Sequence, residues 1–257
     1  MGVVAIAVTL TWVILCSDGF TLLAWIRLLC QLDVDRTPNR PAFYPTEHLD
    51  WCVTLRDHYR HIRREFRDAN SNAPILSEVM PEQWDLSDKG GWGKWRVVIL
   101  RLYGRDTDVE GFPITRQLLR IIPGCTTAMF SILEPGRELV THRGPNHGVL
   151  RYHLALVVPP EATKCTLTVN GEMRHWYEGQ DLLFDDTLPH SAKNMAHGVR
   201  VVLFLDVLRP LHNVWHSHMN AGFHWWIAPN TMHIRSAVKR ANECAGATPT
   251  TLYPMLK

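Results

Sequence analysis

The strongest constraint on the fold is a change of hydrophobic period near Trp92, where helical spacing gives way to a period of two. The alternating segments are short and recur at close intervals. They cover residues 95–102, 126–133, 138–141, 149–158, 165–169, 174–177, 181–184 and 199–208. Asn170-Gly171 lies between two of them and is a strong hairpin signal. This pattern predicts an all-β core of the sandwich or jelly-roll type.

Helical spacing predicts helices on both sides of this β region. Residues 48–69 form one apolar stripe, a short helix is expected around 114–122, and the tail at 211–257 is helical in pattern. The tail repeats bulky apolar residues at intervals of four, four and three, namely Trp215, Met219, Phe223 and Trp226. Two interpretations fit the tail: a helix packed on the β core, or an aromatic face at a membrane interface.

The N-terminus is strongly apolar. Residues 2–16 carry no charge, and a second apolar stretch at 20–32 is interrupted by Arg27. A spanning helix needs roughly 20 residues, and we predict a single-pass membrane anchor within 1–32. A cleaved signal peptide and a buried helix are the alternatives. Because Lys and Arg residues follow this segment and none precedes it, the positive-inside rule favours a cytoplasmic main domain.

The predicted organisation is therefore an anchor at 1–32, a Pro-rich linker at 33–47, a folded domain at 48–210 and a helical tail at 211–257. The formal net charge of +2 gives no electrostatic case for nucleic-acid binding. The cysteines are scattered without a C-x-x-C pair, which argues against a zinc ribbon and indicates no redox compartment.

Two histidines and an arginine in the strand-like region are the candidate reactive residues. His142 and His190 lie in separate strand-like blocks, and two such imidazoles can hold a redox-active iron that keeps positions open for a cosubstrate and O2. Arg200 follows ten residues after His190, and its planar guanidinium matches the carboxylate of a keto acid. The alternatives are two unrelated strand histidines and an arginine paired with a protein carboxylate.

Several ordered blocks carry a family resemblance. They are AMFSIL at 128–133, HRGP at 142–145, LRYHLAL at 150–156, FDD at 184–186 and DVLRP at 206–210, with Trp176, Gly179, His190 and Arg200. Over 92–210 the chain resembles the aspartyl/asparaginyl β-hydroxylases, Fe(II)- and 2-oxoglutarate-dependent oxygenases built on a double-stranded β-helix. The LRYHL block, the DVLRP ending and the apolar N-terminus also resemble the membrane-bound lipid A hydroxylases of this family, which hydroxylate an acyl chain.

The resemblance implies a cupin-like jelly roll with flanking helices, and Fe(II) bound by His142 and His190. The usual motif is His-x-Asp/Glu with a distant His, but the third position here is Gly144, which cannot bind a metal. The protein-hydroxylating branch has glycine there, whereas the lipid branch keeps an acidic residue. We therefore expect two protein ligands, with water in the third position. A carboxylate from Asp185 or Asp186 is the alternative to that water, although a turn role is favoured for both.

The resemblance also implies roles in binding 2-oxoglutarate. Arg200 and Ser131 are expected at its 5-carboxylate, and His153 near its 1-carboxylate. Arg151 shares a strand face with His153 and is expected to face the substrate or the cosubstrate, a structural salt bridge being the alternative. Trp95 and Trp176 are interpreted as core or rim residues.

The implied reaction is hydroxylation of an unactivated C–H with release of succinate and CO2. Its expected partner is a protein, through an Asp or Asn side chain, or a membrane-proximal lipid acyl chain. The missing acidic ligand motivates the alternative of a non-catalytic binding module on the same barrel. A zinc hydrolase would need a third protein ligand to hold its metal.

Overall fold

The computed structural model describes residues 20–37, 39–69, 73–83, 85 and 91–246. Its helices are α1 (Phe20–Val34), α2 (Asp50–Asp57), α3 (Tyr59–Asp68), α4 (Leu76–Val79), α5 (Pro113–Ile121), α6 (Val214–Gly222) and α7 (Met232–Gly246), with a π-turn at Phe223–Ile227. Its strands are β1 (Phe43–Tyr44), β2 (Trp95–Leu102), β3 (Arg105–Asp106), β4 (Cys125–Leu133), β5 (Arg137–His142), β6 (Val149–Val157), β7 (Cys165–Val169), β8 (Glu172–His175), β9 (Asp181–Phe184), β10 (His190–Asn194) and β11 (Arg200–Leu208).

The strands form two antiparallel sheets. The larger has the order β1-β9-β6-β11-β4-β2-β3, and the smaller has the order β5-β10-β7-β8. From β4 onward the chain passes repeatedly from one sheet to the other, so that strands adjacent in sequence, the β7–β8 hairpin excepted, lie in different sheets. This winding defines a jelly roll. The predicted fold class of the β core is confirmed.

The larger sheet is buried on both faces. Along β4, Met129 and Leu133 belong to the apolar core between the sheets, whereas Phe130 packs on the opposite face. Phe66 of α3 lies 5.0 Å from Phe130 between ring centroids, because the helices cover that outer face. β4 is buried along its whole length. Because both of its faces are buried, its sequence does not need to alternate between apolar and polar residues.

Some elements differ from the sequence prediction for local reasons. The helix expected at 48–69 is divided into α2 and α3 at His58. β8 begins at Glu172, two residues before the predicted strand, because Asn170 and Gly171 both have positive φ and form a tight hairpin turn. β10 was not predicted as a strand. Its inward positions include polar His190 and Asn194, so it has no apolar alternation.

The predicted membrane-spanning anchor is not supported by the structure. In the described part of the chain, no helix has both the length and the apolar character needed to cross a bilayer. α1 has 15 residues, and it buries Ile26 and Cys30 in a cluster with Phe223 of the π-turn. Residues 2–16, on which much of that prediction falls, lie outside the described residues.

A buried carboxylate fastens the end of α1 to the start of α6. Asp33 is fully buried and accepts hydrogen bonds from the backbone N–H groups of His212 at 2.7 Å and Asn213 at 2.9 Å. His216 lies 3.0 Å from the same carboxylate through its Nδ1. A carboxylate at a helix N-terminus satisfies free N–H groups and opposes the positive end of the helix dipole. The predicted linker therefore contains the last helical residues of α1.

Buried histidines should make the fold sensitive to acid. Burial lowers the pKa of His224 to about 4, so the unfolded chain takes up a proton first as pH falls below about 6.5. Between the unfolded-state pKa of about 6.5 and the folded-state pKa of about 4, the contribution of His224 to the free energy of unfolding falls by about 1.4 kcal/mol per pH unit. Urea unfolding of His224→Gln from about pH 7 to about pH 5 should show a shallower pH dependence than the wild type.

The matched control is His218→Gln, because the side chain of His218 is exposed. It should keep the wild-type pH dependence. An identical slope for His224→Gln and the wild type would contradict the prediction.

Candidate active site

Two imidazoles face each other across neighbouring strands of the smaller sheet. His142 of β5 pairs with His190 of β10, and their ring centroids are 4.1 Å apart. The Nδ1 of His142 lies 2.8 Å from the Val140 carbonyl oxygen, and the Nδ1 of His190 lies 3.0 Å from that of Leu188. Since a carbonyl only accepts hydrogen bonds, both Nδ1 atoms donate. Each Nε2 therefore keeps its lone pair free for a metal.

A β-bulge places His142 in this position. Between the pairs His190–His142 and Ala192–Leu139, β5 advances three residues while β10 advances two. The extra residue lets Leu139 and His142 point to the same side, although strict alternation would separate them. Bulges commonly redirect a side chain next to an active site.

Both histidines are neutral near neutral pH. Burial lowers the pKa of His142. Burial also lowers the pKa of His190 to about 3, and the neighbouring His142 adds to this effect. Neutral imidazole is the form that binds metals, so the pair is ready to act as ligands over a broad pH range.

The space beside Gly144 is filled by a carboxylate from the turn after β9. A Cβ at Gly144 would lie 1.9 Å from Oδ2 of Asp186. That carboxylate is buried, and its Oδ2 lies 3.0 Å from Nη2 of Arg151, which also donates from Nε to Asp206 at 2.9 Å. Asp186 is thus held by an arginine in the place where a side chain at position 144 would project.

The second acidic candidate, Asp185, is also engaged elsewhere. It lies 2.6 Å from Nη2 of Arg209 and accepts a hydrogen bond from the backbone N–H of Thr187. Within the described residues, no group of three His, Cys, Asp or Glu side chains is arranged to hold a metal ion. This finding does not support a third ligand from Asp185 or Asp186.

Introducing the missing acidic residue should fail to build a three-ligand site. Gly144→Asp forces its side chain into the Asp186 carboxylate and disrupts the ion pair with Arg151. We expect a loss of about 3 kcal/mol or more in the free energy of unfolding, with no gain in metal affinity. Urea unfolding and metal titration measure these two quantities. The double variant Gly144→Asp/Asp186→Gly should recover much of the stability, and wild-type stability of the single variant would contradict the steric argument.

The larger sheet contributes a buried cation that has no acidic partner in the part of the chain that the structure describes. Arg200 of β11 is 2% exposed, and its Nε and Nη1 have no hydrogen-bond partner among the described residues. Its guanidinium lies 4.7 Å from the centroid of the Trp176 ring, and burial lowers its pKa to about 10. A buried, unpaired charge is costly unless an anion joins it. Arg200 therefore indicates a binding place for an anionic ligand.

Ser131 shares the inner face with Arg200. The register pairs Arg200 with Leu133 and Val202 with Ser131, so the two polar residues stand two positions apart on adjacent strands. Ser131 Oγ accepts a hydrogen bond from Nε1 of Trp95 at 2.9 Å. Its own proton is thereby free to be donated to a ligand.

His153 of β6 connects the two halves of the site. Its ring lies 6.0 Å from Trp176 and 5.1 Å from Phe184, and Phe184 is in turn 6.0 Å from His190. Neither ring nitrogen of His153 has a hydrogen-bond partner in the described part of the chain. Burial, followed by the charge of Arg200, lowers its pKa well below the usual value. His153 is thus a neutral polar group facing the interior.

The structure therefore brings all six candidate residues to one interior. Arg151 lies close enough to the three histidines for its charge to lower their pKa values, although its guanidinium is paired with Asp186 and Asp206. Trp95 and Trp176 were interpreted only as core or rim, yet one donates to Ser131 and the other lies against Arg200. The inward alternation along β2 from Trp95 could have revealed the first contact. Trp176 lies after β8 and has no such signal.

A model of the aspartyl/asparaginyl beta-hydroxylase family matches residues 56–210. The chain belongs to this family. An ornithine lipid ester-linked acyl 2-hydroxylase from Rhizobium tropici is 36% identical over 67% of this chain and 62% of its own length. The aspartyl/asparaginyl beta-hydroxylase of Homo sapiens is 34% identical over 72% of this chain and 24% of its own length. The chain thus spans less than two thirds of either relative.

The aspartyl/asparaginyl β-hydroxylase domain also has a limited likeness to solved structures. A predicted oxalate decarboxylase from Thermotoga maritima aligns with a TM-score of 0.34 at 13% identity, over 54% of this chain and 94% of that one.

Proposed function

We propose that the protein is an Fe(II)- and 2-oxoglutarate-dependent dioxygenase that hydroxylates an unactivated C–H bond and releases succinate and CO2. The observation that carries the proposal is Arg200, a buried guanidinium with free donors and no acidic partner among the described residues. The 5-carboxylate of 2-oxoglutarate would supply that partner. The hydroxyl of Ser131, fixed by Trp95, would donate a second hydrogen bond to it.

The donor set fits iron. Nε2 of His142 and Nε2 of His190 are the two nitrogen ligands, and each ring is oriented by a backbone carbonyl. Two protein ligands leave further metal positions for O2 and a bidentate cosubstrate. Iron bound there would supply the O2 activation that neither imidazole nor carboxylate groups can provide.

The remaining residues position the reactants. Trp176 covers the guanidinium of Arg200, and Phe184 separates His153 from His190, so water is kept from the cosubstrate site. Neutral His153 can donate its ring N–H to the 1-carboxylate without adding charge. Arg151 would act indirectly, by fixing Asp186 beside Gly144.

For the substrate we favour a lipid acyl chain. The supporting observation is the relative named as an ornithine lipid acyl 2-hydroxylase, which aligns with 67% of this chain. The second candidate is an Asp or Asn side chain in a protein. Gly144, which the sequence shares with the protein-hydroxylating branch, and the human relative favour that candidate.

A non-catalytic binding module is the competing class. Such a module has no use for an unpaired buried arginine, a hydroxyl and two oriented imidazoles in one interior, because each group is costly to bury. Their joint presence supports catalysis.

The test is iron-dependent formation of succinate from 2-oxoglutarate by the full chain, with acyl lipids in one set of assays and Asp- or Asn-containing peptides in another. We expect turnover that is lost with chelator and stimulated by lipid. Stimulation by peptide alone would replace the lipid substrate with a protein. Absence of iron binding by the full chain would favour the binding module.

A further inference from the structure

Helix α1 has a second apolar side that the fold leaves uncovered. One side is buried on the tail, through the cluster of Ile26 and Cys30 with the π-turn. The other side carries three apolar residues at helical spacing, which we call the outer stripe. Their exposed fractions are 54% for Trp25, 42% for Leu28 and 52% for Leu32.

The tail also exposes large apolar side chains. Trp215 and Met219 of α6 are 71% and 36% exposed, and Trp226 of the π-turn is 78% exposed. We call these three the tail face. Because α1 packs on α6 and Asp33 fastens the end of one to the start of the other, the outer stripe and the tail face lie on adjoining elements. An exposed apolar surface of this kind marks an interaction site.

The charges around this surface identify its partner. The sequence from 211 to 242 contains no Asp or Glu, and the one acidic residue within α1 is Asp33, whose carboxylate is fully buried. Arg36 and Arg235, by contrast, are exposed near the ends of the elements involved. Asp35, next to Arg36, is exposed as well, so the end of α1 presents one carboxylate, whereas residues 211–242 contribute cations and no carboxylate. This excess of cations in the tail is compatible with lipid phosphate groups.

The residue types point to the same partner. Tryptophan is enriched where membrane and water meet, because its ring is apolar and its N–H is polar. Three of the six residues of the outer stripe and tail face are tryptophans, and the sequence before α1 is uncharged from 2 to 16. A protein-binding surface would need no such uncharged sequence beside it.

The tail is hydrogen bonded to the loop that follows His142. Nδ2 of Asn146 lies 2.9 Å from Nε2 of His224, and Asn220 donates from Nδ2 to the carbonyl of Gly148 at 2.7 Å. Whatever the tail binds is thereby placed next to the loop that begins at the candidate metal ligand.

We propose that the outer stripe and the tail face together form a surface that docks the protein on a lipid bilayer, with the indole rings at the level of the headgroups. Use of this surface to reach an acyl chain rests on the proposed function. Docking on a bilayer does not, since it requires neither metal nor cosubstrate.

The test is co-sedimentation of the full chain with vesicles of phosphatidylcholine and phosphatidylglycerol, without iron or 2-oxoglutarate. Trp215→Ser/Trp226→Ser should weaken partitioning by about tenfold or more, because two large apolar side chains no longer leave water. The matched control is Trp92→Ser, which removes a tryptophan that is also 78% exposed but lies beside Gly136 at the β4–β5 turn. It should partition like the wild type.

Unchanged partitioning of the double variant would overturn the proposal, as would an equal loss in the Trp92 control. Unfolding curves check that the variants are folded. A measurement free of variants is the quenching of wild-type tryptophan fluorescence by brominated lipid, and sedimentation without quenching would also contradict docking through the indoles. Because these assays need no turnover, failure of docking is distinguishable from failure of the hydroxylase proposal.

Discussion

Replacing His142 with alanine will abolish iron-dependent turnover of 2-oxoglutarate and weaken metal binding by on the order of a hundredfold or more. Within the described residues the site offers only a pair of imidazoles, and no third side chain is arranged to retain the metal. After loss of one ligand, a single imidazole remains to bind the ion. Metal titration of the purified full chain, with a succinate assay, measures both effects.

Thr141→Ala is the matched control for this variant. Thr141 precedes His142 on the same strand and is exposed, so its removal should leave metal binding unchanged. Retention of turnover in His142→Ala would exclude His142 as a ligand.

Replacing Arg200 with methionine will have two effects of opposite sign. The affinity for 2-oxoglutarate should fall by about a hundredfold, because a buried charge partner is lost. The ligand-free protein should become more stable, by about 1 kcal/mol or more, since a desolvated guanidinium without an acidic partner is replaced by an apolar side chain of similar length. Isothermal titration and urea unfolding measure the two effects separately.

This combination separates a ligand-binding arginine from a structural one. A structural arginine would lower stability when removed and leave the affinity for 2-oxoglutarate unchanged. Arg101→Met is the control: Arg101 pairs with Asp106 at 2.6 Å on β2 and β3. Its removal should cost stability without altering cosubstrate binding.

The sequence was sufficient to predict most of the β core because most of its strands alternate or form long apolar runs. The strands β2, β7 and β9 have the predicted bounds. β10 could not be predicted from its pattern, since two of its three inward residues are polar: His190 belongs to the site, and Asn194 donates to the backbone carbonyls of Leu133 and Gly198. An interior that must hold polar groups loses the hydrophobic signal on which strand prediction depends.

The candidate site could be predicted in its residues but not in its contacts. Arg200 was recognisable as one charge before an apolar run, and the structure places it on an inner face without an acidic partner among the described residues. The salt bridge of Arg151 was the alternative considered for it, but its two carboxylate partners could not be foreseen, because they come from β11 and from the turn after β9. The bulge before His142 was equally hidden, since it depends on the register between β5 and β10.

The contact between Gly144 and Asp186 has a consequence for how such sites can diverge. One small volume can hold a carboxylate delivered from position 186 or a side chain at position 144, but not both. Evolution from a two-histidine centre to a three-ligand centre, or the reverse, must therefore change both positions. A variant with only one of the two changes would be poorly packed at this point. The two positions should vary together among related chains, with glycine at the first accompanying aspartate at the second.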